Sequence, residues 1–225
     1  MIHTAVIIQD PAGYSERCRA LQQAHPHAFA VSPEDKPYAH TLSVTIPDEW
    51  LPADLTISFS RRCWHRGYTL GLAAVQKLAI DADYYWFIES DCVASQERWK
   101  ALFASHVDNE DDCVSNPFRS RAETKDNFWW THPGTPDWAT HFYVPACHRL
   151  SRRAVAELIR TAEETRECFC EHALASTIVR AGFTFSSAND PVTHWNRQTY
   201  RFSAEAVIRN PNFLCHPVKE NSFGP

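Results

Sequence analysis

Two acidic side chains stand two residues apart in Ile88-Glu89-Ser90-Asp91, directly after the aromatic, apolar run DYYWFI of residues 83–88. In an extended chain, residues two apart project to the same side. Glu89 and Asp91 can therefore converge on one point while Ser90 faces away. Two carboxylates on one rigid base offer hard oxygen donors, which suit Mg²⁺ or Mn²⁺ when phosphate oxygens complete the shell. The plainer alternative is that they only supply negative charge ahead of the next helix, where the macrodipole favours acids.

A second group with ligand chemistry is Cys168, Cys170 and His172, which alternate in ECFCEH. Structural zinc sites usually need a CxxC pair and four ligands. The eight cysteines form no CxxC pair, which counts against zinc and favours reduced thiols, several of them serving as small core residues.

The elements that must position these groups follow from periodicity. Residues 4–10 (TAVIIQD) read as a buried strand and 12–24 as a helix. Residues 40–46 and 54–60 read as strands. The spacing of Leu72, Val75, Leu78 and Ala79 predicts a helix over 68–81. The run 83–88 predicts a central strand, and 95–106 a helix capped by Ser95. Residues 112–117 read as a strand stopped by proline, and 117–140 as a long loop or flap. Residues 141–150 read as extended, 151–165 as an amphipathic helix capped by Ser151, and 171–182 as a helix closed by Gly182. Residues 183–187 read as a short strand, with an irregular tail from Asn189. Alternating strands and helices predict an α/β fold, with a mostly parallel central sheet flanked by helices. Ligands of such sheets sit outside the carboxyl ends of the strands, where Glu89 and Asp91 would stand.

The chain's 225 residues are 44% hydrophobic and include 8 Trp, 13 Phe and 7 Tyr. That is enough apolar material for a sizeable core without covalent staples. A net charge of −5 with no basic stripe beyond the short SRRCWHR argues against nucleic-acid partners. The start MIHTAVIIQDP lacks the basic and long apolar regions of a signal peptide. No stretch approaches the ~18 apolar residues of a membrane span. The expectation is a cytoplasmic protein, with room for peripheral association at a membrane surface.

A helix, an apolar strand and then an acidic turn resemble the centre of the GT-A nucleotide-sugar glycosyltransferases. IESD at 88–91 resembles their DxD motif, and HRGYTLGLAAVQKLAIDADYYWF before it resembles the segment that feeds it. The resemblance covers the pattern of residues 1–116. It departs from the family at Glu89, where Asp is usual. It implies a single Rossmann-type GT-A-like domain over 1–225, with a nucleotide-sugar half (1–116) and an acceptor half with the C-terminal tail (117–225). It implies that Asp91 contacts Mn²⁺ (or Mg²⁺) directly and that Glu89 acts through water or on the ribose. It places Gln9 and Asp10 at the nucleotide base, and Arg62, Arg66 and Gly67 at the diphosphate, with Ser90 beside them.

Further along, the family often sets its base at the start of a late helix, in an ED-like motif. FCEHALAS fits that place with Glu171, and departs from it at His172. The helix dipole there is expected to favour the ionised carboxylate. A histidine near the C-terminus often completes the family's metal shell. His216 is preferred, with Lys219 three residues on to neutralise phosphate, and His194 is the runner-up.

On the acceptor side, aromatic rings that pack on sugar C–H faces are expected. Trp129, Trp130, His141, Tyr143 and Trp195 are the candidates, although at least half such rings belong to a core. The expected reaction is metal-dependent transfer from a nucleotide sugar, UDP-sugars first, to a hydroxyl of a glycan or lipid-linked acceptor, with inversion. The alternatives are a sugar nucleotidyltransferase, disfavoured by the single glycine in QDPAGYSERCR, and a non-catalytic nucleotide- or carbohydrate-binding module.

Overall fold

The structure is a computed structural model. It describes residues 2–10, 15–35, 37, 40–51, 59–115, 118–124, 128–131, 135–187, 193–195 and 214–216, with the backbone alone for 15–17, 59–67, 128–129 and 193–195. The strands are β1 (Ile2–Gln9), β2 (Ala28–Pro33), β3 (Leu42–Val44), β4 (Ala82–Glu89), β5 (Cys113–Ser115), β6 (Phe118–Ser120), β7 (His141–Tyr143), β8 (Cys147–Ser151), β9 (Phe185–Ser187), β10 (Thr193–Trp195) and β11 (Leu214–His216). The helices are α1 (Ser15–Ala24), α2 (Phe59–Lys77), α3 (Gln96–Ser105), α4 (Arg152–Arg160), α5 (Ala162–Thr165) and α6 (Cys170–Arg180).

Seven strands form one sheet in the order β3-β2-β1-β4-β8-β5-β9. Every pairing in it is parallel except the two that β8 makes, with β4 and with β5. The sheet is thus mostly parallel, as its buried apolar strands predict, with one reversed strand near its middle. That strand comes from the second half of the chain, so residues 1–116 and 117–225 share a single sheet.

Strands β1 and β4 are apolar on both faces because both faces are covered. Ala5, Ile7, Tyr85 and Phe87 pack with Leu70 and Leu72 of α2, Val155 and Leu158 of α4, and Leu174 of α6. Val6, Ile8, Trp86 and Ile88 pack on the other side with Cys18 and Leu21 of α1 and Trp99 and Leu102 of α3. Ser95 and Ser151 cap α3 and α4, accepting from the backbone N–H of Arg98 and Ala154 respectively. Gly182 follows α6 with φ of 73°, the left-handed position a glycine fills without strain.

Several expectations change. Helix α2 begins at Phe59, nine residues ahead of the predicted 68, and takes in the last two residues of the expected strand 54–60; residues 54–58 lie outside the described residues. Strand β2 was not expected. The predicted flap contains β6, paired antiparallel with β7, and a 3-10 turn at Phe128–Thr131. The tail contributes β10 and β11, paired parallel. None of the described helices is long and apolar enough to cross a membrane. Seven cysteines are described, five of them buried and none joined in a disulfide.

A buried carboxylate ties the reversed strand to its neighbours. Asp112, just before β5, accepts from Ser151 Oγ at 2.6 Å, from Thr184 N at 3.0 Å, and from the Arg153 guanidinium. Burial alone would raise its pKa, but these donors outweigh it and hold the carboxyl below its ordinary 3.8. A depressed carboxyl stabilises the fold above that ordinary value and loses its contribution as pH falls through the folded one. Asp112→Ala is expected to cost about 1–3 kcal/mol in urea unfolding at pH 7, chiefly from donors left unmet. The gap to wild type should narrow at pH 3.

Candidate active site

Strands β1 and β4 end level with each other, Gln9 opposite Glu89. The chain then turns sharply. Glu89 N donates to Ala146 O (2.8 Å), Ser90 N to Gln9 O (2.9 Å), and Cys92 N to Glu89 O (2.9 Å). These bonds clamp the acidic turn to the ends of two buried strands. Helix α3 starts only at Gln96 and is capped by Ser95, so Glu89 and Asp91 are not its caps.

The next residue of the turn brings in the far end of the chain. Val93 N donates to Cys215 O at 3.0 Å, and Cys215 N to Val93 O at 2.9 Å. This two-bond bridge docks β11 against the turn, while Leu214 enters the apolar cluster under α1 and α3. His216 is thereby delivered to the acidic pair. Its Nε2 lies 3.0 Å from Glu89 Oε2 and 3.2 Å from Asp91 Oδ1. Asp91 and His216 are buried, while Glu89 keeps 29% of its side chain exposed.

Burial opposes a charge on His216, but Asp91 and Glu89 outweigh it and push the imidazole up to about 9. The ring thus supplies the positive charge that two neighbouring carboxylates attract. Asp91 and His216 also offer donors to a divalent cation. Adjacent donors around an octahedral ion with bonds of about 2.1 Å stand about 3 Å apart, close to the spacings His216 already makes. Two carboxylates with an imidazole suit Mn²⁺. Among the described residues, the three whose ligand atoms lie within 4.8 Å of one another are Asp91, Cys92 and His216, and Glu89 is not grouped with them. The sequence reading did not single out Cys92. Its thiol donates to Ala146 O at 3.1 Å, and a hard cation would prefer the oxygens.

Glu171 lies in the first turn of α6. Protein packs densely around it although part of its surface stays open. Burial pushes its carboxyl up to about 7, with Glu89 adding to the rise and Cys170 and His216 opposing it. The expected dipole effect is therefore outweighed by desolvation. Glu171 is thus within reach of the charges of both Glu89 and His216. Cys170 Sγ donates to Glu171 Oε2 at 2.8 Å.

The remaining candidates divide. Gln9, Asp10 and Ser90 are buried at the strand ends beside Glu89. Gln9 packs under Gly71 of α2, where an added Cβ would come within 2.6 Å of both its Nε2 and Phe87. Tyr143 is fully buried and Trp130 nearly so. The Trp130 indole N–H donates to Thr124 O, and its ring packs on Phe142 and His172. His141 is half-buried beside Phe118 and Phe185. His172 is fully buried among Trp130, Phe142 and Phe169, and among the described residues it joins no metal-ligand group with Cys168 and Cys170. The side chains of Arg62, Arg66, Trp129, His194 and Trp195, together with Gly67 beyond its backbone and Lys219 entirely, lie outside the described residues.

No family model and no curated protein matches the sequence. Among solved structures, the chain is similar to a glycosyltransferase involved in the glycosylation of the major capsid of PBCV-1. The likeness covers 99% of this chain and 96% of that one, at 12% identity and a TM-score of 0.49.

His216→Ala is expected to destabilise the metal-free protein by about 1–3 kcal/mol, because Asp91 loses its cation. A double-mutant cycle with Asp91→Asn should show coupling of similar size. A raised histidine stabilises fully below its ordinary 6.5 and loses its effect as pH climbs through about 9. The coupling, measured by urea unfolding, should be present at pH 6 and fade towards pH 10.

Proposed function

We propose that the protein is a metal-dependent glycosyltransferase. It moves a sugar from a nucleotide-sugar donor to a hydroxyl of a glycan or lipid-linked acceptor, with inversion at the anomeric carbon. The observation that carries this reading is His216 Nε2 within 3.2 Å of both carboxylates of the acidic turn, at the carboxyl end of the central strands where α/β sheets hold ligands.

Asp91, Glu89 and His216 would hold Mn²⁺ (or Mg²⁺), which supplies positive charge against the diphosphate that leaves. The resemblance of IESD to a DxD motif supports the same assignment. Gln9, Asp10 and Ser90 stand buried at the strand ends next to the turn, the end of the sheet to which this reading assigns the nucleotide. Glu171 takes the proton of the acceptor hydroxyl. Its carboxyl, pushed up to about 7, is matched to proton transfer near neutral pH, where base strength and ionised fraction are both useful. A half-open position at a helix start lets an acceptor reach it. The substrates on this reading are a nucleoside diphosphate sugar, UDP-linked first, and a polyhydroxylated acceptor.

Calorimetry with Mn²⁺ and UDP should show metal-dependent nucleotide binding that Asp91→Ala abolishes. Absence of both Mn²⁺ and Mg²⁺ binding would favour the non-catalytic module. A panel of nucleotide sugars should then reveal slow hydrolysis of one donor, whereas pyrophosphate-dependent release of a nucleoside triphosphate would indicate a nucleotidyltransferase. Once an acceptor is found, Glu171→Gln should lower kcat by about 10²–10⁴ with KM little changed. Activity should rise with pH as Glu171 ionises. The midpoint should lie at or below about 7, since a bound cation beside Glu89 favours the carboxylate.

A further inference from the structure

Residue 170 contributes a buried thiol to the base itself. Cys170 is 2% exposed, and its Sγ lies 2.8 Å from Glu171 Oε2. Among the described residues it is the side-chain donor to the Glu171 carboxylate, beside the backbone of Glu171 itself. The thiol can act only as donor here. Burial pushes its pKa well up, and the neighbouring charges of Glu171 and Glu89 add to the rise, so the proton stays on sulfur. No other use of this thiol is visible: it forms no disulfide and joins no metal-ligand group among the described residues.

We propose that Cys170 is a positioning residue, whose S–H holds Glu171 Oε2 so that Oε1 is the oxygen presented to the acceptor hydroxyl. The inference rests on Glu171 being the base. A carboxylate at the end of a flexible side chain has several rotamers, and a single donor on one oxygen selects among them. The backbone of α6 fixes the donor in turn, because Cys170 opens the helix and its side chain packs into the main core cluster. A thiol suits this task. It is a weak donor, so it orients the carboxylate while withdrawing little of its basicity. A hydroxyl would hold the oxygen more firmly and make a weaker base.

Other groups face the pair from the surrounding elements, and no other described side chain duplicates the contact. Glu89 of β4 and His216 of β11 act on Glu171 through their charge alone. Tyr143 of β7 is coupled electrostatically to both Cys170 and Glu171, but its hydroxyl finds no hydrogen-bond partner among the described residues. Tyr68 of α2 is coupled to Cys170 and is hydrogen-bonded to Thr165.

Infrared spectroscopy of the full chain tests the contact without any substrate. The S–H stretch isolated by subtracting the Cys170→Ala spectrum should lie below that of an unbonded thiol. It should move up in Glu171→Gln, since an amide oxygen is the weaker acceptor. An S–H frequency unchanged by Glu171→Gln overturns the inference. In the donor-hydrolysis assay, Cys170→Val should lower kcat about fivefold with KM unchanged, and Cys170→Ser should restore it to within about twofold. Equal loss in both variants would mark the residue as packing alone and would also overturn the inference. Failure of the base reading looks different: Glu171→Gln would keep full activity while the S–H shift persisted.

Discussion

Two carboxylates at the end of one buried strand repel each other, and a positive group between them is the condition on which this end of the molecule depends. In the protein that group is the His216 imidazole, which stands within hydrogen-bonding distance of both. The arrangement is costly to assemble from charge alone, because Asp91 is almost fully removed from water. It is held instead by backbone geometry: the bonds from Glu89, Ser90 and Cys92 fix the acids, and the Val93–Cys215 bridge fixes the ring. A site whose charges are placed by main-chain hydrogen bonds keeps its shape when a ligand exchanges one cation for another.

The rest of the fold serves that placement. Two-sided burial of β1 and β4 makes the strand ends rigid. Helix α6 starts near them, with its interior face from His172 to Ile178 wholly buried. Ser176 Oγ accepts from the backbone N–H of Thr140 and of His141, which locks α6 against β7. Glu171 therefore sits on an anchored helix start, close enough to the acidic turn for charge on one to act on the other.

Much of this was legible in the sequence, for identifiable reasons. Strand β4 announces itself as a continuous apolar run, and α3 and α4 by serine caps ahead of helical spacing. The period of two that was expected to make Glu89 and Asp91 converge stops at Glu89, where the chain turns. It is the turn and His216 that bring the two acids near one ring. Strand β2 was missed because AFAVSP is short and lies between histidine- and proline-rich stretches. The start of α2 was obscured by SFSRRCWHR, whose polar and aromatic residues carry little periodicity. The reversal of β8 has no local signature, since strand direction is decided by tertiary pairing. The His216 contact spans 127 residues, and only family resemblance pointed to it. Glu171's shifted carboxyl depends on packing density, which composition does not reveal. Cys170 drew attention as a zinc ligand, when its neighbour in the chain was the partner that mattered.

The place of β8 also bears on synthesis. As the ribosome releases the first 115 residues, β4 and β5 have no bridge between them, because the strand that joins them arrives only at residues 147–151. The nascent sheet must wait with β4 exposed along one edge, a largely apolar strand open to stray pairing. The acidic turn waits longer still, for a histidine 125 residues downstream of Asp91. Closure of the sheet around β4 therefore waits on residues 147–151, and an unpaired edge on so apolar a strand invites stray association until then.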